Sequence, residues 1–353
     1  MMPVAVFLLA LAVSAAATPI IRGLARRWGI VDRPDERKVH RRKDIPRLGG
    51  VAIFLGLACG LVVIALKGEL GSGAVGLLLG SSIVFAVGVV DDVRGLRPWT
   101  KLAFELAAAF VVYHFGIRVE FIGNPLTGEP VSVGLLAFPL TALWLLLIAN
   151  AVNLLDGLDG LAAGIVSIVA LVMAIAPLRQ GYGLDSALLA LALGGAAMGF
   201  LPYNFNPASI FMGDGGSLTL GFGLAAAAVI GRQKGAVGGL VFVPLLALAV
   251  PLIDTTMSVL RRARAGKGIF SPDMGHIHHR MLSLDPGRNQ RRVVVTLYGM
   301  TICYGMIALA FADVKMRGIV AFASLALVVG TSAVWVYRIL VSAGKSGSGA
   351  GTD

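Results

Sequence analysis

Charge is what this chain has least of. Asp, Glu, Lys and Arg make up 14% of its 353 residues, against roughly 25% in a soluble domain. That leaves too little polar surface to cover an ordinary water-soluble enzyme. The same composition excludes a disordered chain. Cysteine is almost missing. Cys59 and Cys303 both sit in apolar runs, where a free thiol behaves as a small hydrophobe. Neither has a metal-binding or redox spacing, so a zinc site and a disulfide scaffold drop out. The first 21 residues lack the basic start of a cleaved secretion signal, so they read as a first membrane helix.

What is present is apolar: 57% hydrophobic residues and a mean hydropathy of +0.85. A membrane helix needs about 20 mostly apolar residues. Runs that qualify lie near 3–21, 49–66, 74–90, 102–116, 136–152, 160–178, 185–203, 215–230, 237–257, 293–312 and 318–337. The runs are continuous rather than alternating, and lipid admits only helices or closed barrels. The expected fold is therefore an all-α polytopic membrane protein of about eleven transmembrane helices.

An odd number of spans puts the termini on opposite sides. The loops 22–48, 91–101, 153–159, 204–214 and 258–292 with the tail hold 23 Lys and Arg, and the loops of the other side hold 7. The positive-inside bias places the first set in the cytoplasm, the N-terminus outside and the C-terminus inside. The net charge of +11 is thereby explained without nucleic acid. Residues 1–340 read as one multi-span domain and 341–353 as a disordered Gly/Ser-rich cytoplasmic tail.

Carboxylates are costly near lipid, so their positions are informative. Asp91 and Asp92 end the third span, Asp156 and Asp159 follow the fifth, and Asp214 closes the loop after the seventh. All lie at cytoplasmic ends. A transporter or flippase, the reading from another class, would place ionisable groups near the bilayer midplane. Acids gathered at one face suit chemistry on a water-soluble substrate.

The densest signal runs from Asn150 to Leu161. If it is helical, Asn153, Asp156 and Asp159 point roughly one way. One Asp-Gly step alone would be a polar helix end with turn glycines. Two carboxylates and two asparagines beside an apolar span favour a site. In the loop 204–217, Gly213, Gly215 and Gly216 flank Asp214, and such a loop can offer a carboxylate and several N–H groups to a phosphate or metal. A re-entry turn before span eight explains it equally well. The vicinal Asp91-Asp92 pair repels itself unless a cation sits between, or it is simply a solvated helix end beside Arg94 and Arg97. Lys101 is placed to reach a phosphate, with Glu105 four residues on as a simple pairing partner. Oxygen donors with no nearby His or Cys favour Mg²⁺. In the loop 258–292, His276, His278, His279 and Arg280 can hold phosphate oxygens by charge-assisted hydrogen bonds. Asp254, His40 and His114 rank lower.

Taken together, the motifs resemble the polyprenyl-phosphate N-acetylhexosamine-1-phosphate transferases of glycosyltransferase family 4. The resemblance is carried by Asp91-Asp92 with Lys101, by the DGLDGL segment ending at Leu161, and by the FMGDGGS loop from Phe211 to Ser217. The HIHH run from His276 to His279 and the stretch Ile45–Gly50 add to it. Ile277 interrupts the three adjacent histidines usual in the peptidoglycan-precursor branch. The chain is thus similar to the branch that starts teichoic acid, O-antigen or enterobacterial common antigen synthesis.

The resemblance implies transfer of N-acetylglucosamine-1-phosphate from UDP-GlcNAc to undecaprenyl phosphate in the bacterial plasma membrane, at a site facing the cytoplasm. The alternative within the family is the UDP-MurNAc-pentapeptide reaction. It implies Mg²⁺, with Mn²⁺ as a substitute, held by Asp214 and Asn153 with Asp92 as a further candidate. Asp156, Asp159, Asn204 and Lys101 would lie near the nucleotide and diphosphate, and Asp91 would be the base for the lipid phosphate. His276, His278, His279 and Arg280 would hold the sugar-diphosphate. Membrane lipids are the expected surroundings, and a homodimer is compatible with this reading. Direct displacement and an aspartyl-phosphate route both remain open.

Overall fold

A computed structural model describes residues 1–32, 45–69, 71–123, 130–180, 183–234, 262, 281–282 and 289–312. The apolar runs fold as helices because a lipid-exposed backbone must satisfy its own N–H and C=O groups. In chain order these are α1 (Met2–Arg27), α2 (Gly49–Leu66), α3 (Ser72–Arg94), α4 (Pro98–His114) and α5 (Ala137–Leu155). Next come α6 (Leu161–Gln180), α7 (Leu184–Asn204), α8 (Gly213–Lys234) and, among the described residues, α9 (Gln290–Ala312). Eight of them are long and apolar enough to cross a membrane. α4, at 17 residues, is shorter. The chain is an all-α polytopic membrane protein. The expected ninth and eleventh spans, 237–257 and 318–337, lie outside the described residues, as does the tail.

Two features were not foreseen. β1 (Val31–Asp32) pairs antiparallel with β2 (Ile45–Pro46), and β3 (Phe121–Gly123) with β4 (Pro130–Ser132). Both are short hairpins at helix ends, where backbone groups pair with each other outside the spans.

α8 is the centre of the bundle. It packs against α2, α3, α5, α6 and α7, and it is buried along nearly all of its apolar length. Its Gly- and Ala-rich sequence lets backbones approach closely, which is how membrane helices associate without a hydrophobic driving force between them. Polar links reinforce the packing: Trp144 Nε1 donates to Ala225 O at 3.0 Å, and Ser186 Oγ to Ala227 O at 2.8 Å. Short connections join α3 to α4, α5 to α6 and α7 to α8. The ends of α3, α5 and α7 and the starts of α4, α6 and α8 therefore gather at one face of the bundle, together with β1 and β2.

Candidate active site

Asp91 and Asp92 lie in the last turn of α3, which stops where Gly95 takes φ +69. Adjacent helical residues point about 100° apart, so each carboxylate finds its own partners. Asp91 accepts the Leu96 N–H at 2.5 Å and the Lys101 ammonium at 3.2 Å. Lys101 stands in the first turn of α4, behind Pro98, whose fixed φ suits a helix start. The same ammonium donates to Asp214 at the start of α8. Asp91, Lys101 and Asp214 are about one-fifth exposed, at 19%, 18% and 21% of their side-chain surface.

Asp92 is different: its side chain is 1% exposed. Its two oxygens accept the N–H groups of Asp214 at 3.0 Å and Gly215 at 3.1 Å. The Arg47 guanidinium lies 3.7 Å from Asp92 and 3.4 Å from Asp32. A cation between the vicinal acids was one expectation. The structure instead separates them, one onto Lys101 and one onto the amino end of α8.

The loop 204–217 also departs from expectation. α8 already begins at Gly213, and Asp92 takes two of its first N–H donors, those of Asp214 and Gly215. Gly215 and Gly216 allow contact instead. A Cβ added to Gly50 would lie 2.2 Å from Gly216 N, and one on Gly88 would lie 2.5 Å from Gly215 Cα. The start of α2 is bonded to the same loop: Gly49 N–H to Phe211 O at 2.9 Å and Gly50 N–H to Met212 O at 2.7 Å.

In the segment 150–161, α5 ends at Leu155, Asp156 leaves the helical region at φ −75°, ψ 43°, and Gly160 turns the chain at φ +80°. Three-residue spacing therefore does not put three side chains on one face. Asn153 Nδ2 donates to Ser217 Oγ at 2.9 Å, in the first turns of α8 that also carry Asp214. Asp156 is partly buried and feels the charges of Asp214 and Asp92. Burial first, and those charges next, push its carboxyl up to about 7.

Asp159 is engaged elsewhere, accepting Asn206 Nδ2 at 2.9 Å and the Ala208 N–H at 3.0 Å. Asn204, 1% exposed, bridges two backbones, accepting from Gly160 N and donating to Ile210 O, each at 3.1 Å. Asn206 and Arg291 carry this network to α9, through Gln290 Oε1 at 2.5 Å and from Arg291 Nε to Asn206 O at 2.6 Å. Tyr298 of α9 donates to Gly160 O. Glu105 is not paired with Lys101. It is buried between α4 and α5 and accepts Asn150 Nδ2 at 2.6 Å.

Four helices thus bring Asp91, Lys101, Asn153, Asp156 and Asp214 together. Asp92 buttresses the group, while Asp159 and Asn204 fasten the loops beside it. His276, His278, His279, Arg280, His40 and Asp254 lie outside the described residues. Among the described residues no three His, Cys, Asp or Glu side chains surround one point. The ligating atoms offered by Asp91 and Asp214 are carboxylate oxygens, which fits Mg²⁺ rather than a softer ion. The Lys101 ammonium shows that a cation is accommodated between Asp91 and Asp214. Arg47, Asp32, Ser217 and Asn206 were not singled out from the sequence. For Arg47 the available signal was a cation directly before Leu-Gly-Gly at a helix start.

The sequence pattern of glycosyl transferase family 4 matches residues 74–232, the stretch that contains every member of this group. Relatives extend the match across the chain. The "Probable undecaprenyl-phosphate N-acetylglucosaminyl 1-phosphate transferase" of Bacillus subtilis is 35% identical over 319 residues, 90% of this chain and 88% of its own. The chain belongs to glycosyl transferase family 4. The transferase is also 35% identical to the "Decaprenyl-phosphate N-acetylglucosaminephosphotransferase" of Mycobacterium tuberculosis, over 80% of this chain and 76% of that one. It is 32% identical to the "Phospho-N-acetylmuramoyl-pentapeptide-transferase" of Halalkalibacterium halodurans, over 86% and 94% of the two chains.

Proposed function

We propose that the transferase moves N-acetylglucosamine-1-phosphate from UDP-GlcNAc to a polyprenyl phosphate, undecaprenyl phosphate in the first instance, and releases UMP. The observation that carries this reading is the convergence of Asp91, Lys101, Asn153 and Asp214 from four helices at one face. The names and coverage of the relatives support it. The greater likeness to GlcNAc-phosphate transferases than to a MurNAc-pentapeptide transferase favours the donor sugar.

The reaction brings two anions together. An oxygen of the lipid phosphate attacks the β-phosphorus of the donor, a new P–O bond forms, and the P–O bond to UMP breaks. Such transfers depend mainly on positioning and charge stabilisation. Asp214 and the Asn153 amide would hold Mg²⁺, which supplies charge neutralisation for the diphosphate. Lys101 meets a phosphate oxygen. Asp91 orients the acceptor and takes its remaining proton, a modest task because the second pKa of a phosphate monoester is about 6. Asp156 stands beside the nucleotide diphosphate. The cluster from His276 to Arg280 completes the donor site.

The wider reading is a bacterial plasma-membrane enzyme of eleven spans, N-terminus out and C-terminus in, with the site in the cytoplasm. Residues 1–340 form one transferase unit. α8 runs from the site face to the opposite one, and α9 begins again at the site face, with Gln290 bonded to Asn206. This supports 237–257 as a ninth crossing. The test is UMP release by purified protein given Mg²⁺, UDP-GlcNAc and undecaprenyl phosphate. We expect turnover that a chelator stops and that Asp214→Asn abolishes without unfolding the protein. Full activity of that variant would remove Asp214 from the metal.

A further inference from the structure

Asp92 is the most enclosed carboxylate of the group, yet its oxygens are spent on backbone. We infer that Asp92 is a positioning residue: it caps α8 from α3 and so fixes where Asp214 presents its carboxylate. Four observations carry this. First, each Asp92 oxygen accepts an N–H from the first turn of α8, from Asp214 itself and from Gly215. These are donors that a helix start leaves without an intrahelical partner, and a carboxylate there also complements the helix dipole.

Second, Gly213 sits against this carboxylate at φ +71, and a Cβ there would lie 2.4 Å from Asp92 Oδ2. The approach is closed to any residue but glycine. Third, the Arg47 guanidinium lies between Asp92 and Asp32 and ties the cap to the β1–β2 hairpin. Fourth, the side chain is 1% exposed, so water and substrate do not reach it. A carboxylate with both oxygens engaged and no solvent access is not arranged to take a proton from a substrate.

The inference rests on the reading of Asp214 as a metal-holding residue, and it assigns Asp92 the shell behind it. Groups that orient a ligand are worth about 10- to 100-fold in metal affinity. Asn keeps one of the two acceptor oxygens and so one of the two bonds to α8, whereas Ala keeps none. Asp92→Asn is therefore expected to raise the Mg²⁺ concentration for half-maximal UMP release about 10-fold. Its turnover at saturating Mg²⁺ should stay within a few-fold of the parent. Asp92→Ala should shift the Mg²⁺ midpoint further.

Hydrogen exchange of a peptide covering 211–217, measured without Mg²⁺ or substrate, should speed up in Asp92→Ala and less so in Asp92→Asn. If Asp92→Ala fails to fold, Asp92→Asn and Asp92→Ser carry the comparison. Equal loss of turnover in every folded variant at saturating Mg²⁺ would overturn the inference and make Asp92 a catalytic group. Unchanged exchange at 211–217 would overturn it too. Failure of the parent protein to release UMP would sink the proposed function instead, and the exchange measurement would still decide the cap.

Discussion

Lys101 neutralises two carboxylates at once, and this shapes what its loss would do. Without the ammonium, Asp91 and Asp214 face each other as uncompensated like charges. Lys101→Met is expected to lower UMP release by about 100-fold, with part of the loss recovered by Lys101→Arg. Asp156 gives a pH prediction. Its carboxyl is raised to about 7 in the fold, against about 3.9 for a free side chain. Between those values the folded state binds more protons than the unfolded state, so stability falls as pH rises. In metal-free protein, Asp156→Asn should flatten that slope, raising the melting temperature more at pH 8 than at pH 5. Asp214, Asn153 and Lys101 were legible in the sequence because polar groups are rare in an apolar chain. The partners of Asp92 were not, since a cap formed across 122 residues leaves no local pattern.

Elements set the second scale. The start of α8 is held between α2 and α3 by contacts that only glycine permits. Gly88→Ala would drive a methyl group into the Gly215 backbone, where overpacking costs about 1–3 kcal/mol. The expected result is a lower melting temperature together with a weaker response to Mg²⁺, both measured on purified protein. Asn204→Ala would strand the Gly160 N–H and the Ile210 carbonyl, at about 1–3 kcal/mol, and lower the melting temperature by loosening the 156–161 turn. The helices themselves were readable from continuous apolar runs, within a few residues at each end. The turn was not. A spacing of three between Asn153, Asp156 and Asp159 looks helical, and only Gly160 at φ +80 shows that the chain reverses there.

For the whole molecule, the asymmetry of Lys and Arg sets the orientation to be tested. Arg97, exposed between α3 and α4, would lie in the cytoplasm. In a background lacking Cys59 and Cys303, Arg97→Cys should react with an impermeant thiol reagent in inverted vesicles and not in intact cells. Reaction in intact cells would reverse the topology. α8 has a further consequence, because five neighbouring helices shield it from the surrounding acyl chains. Stretching or thinning the host bilayer deforms the perimeter of the protein and leaves its axle alone. Reconstitution into short-chain and long-chain phospholipids should thus alter how readily a long isoprenoid acceptor is delivered, while the Mg²⁺ concentration for half-maximal UMP release stays constant.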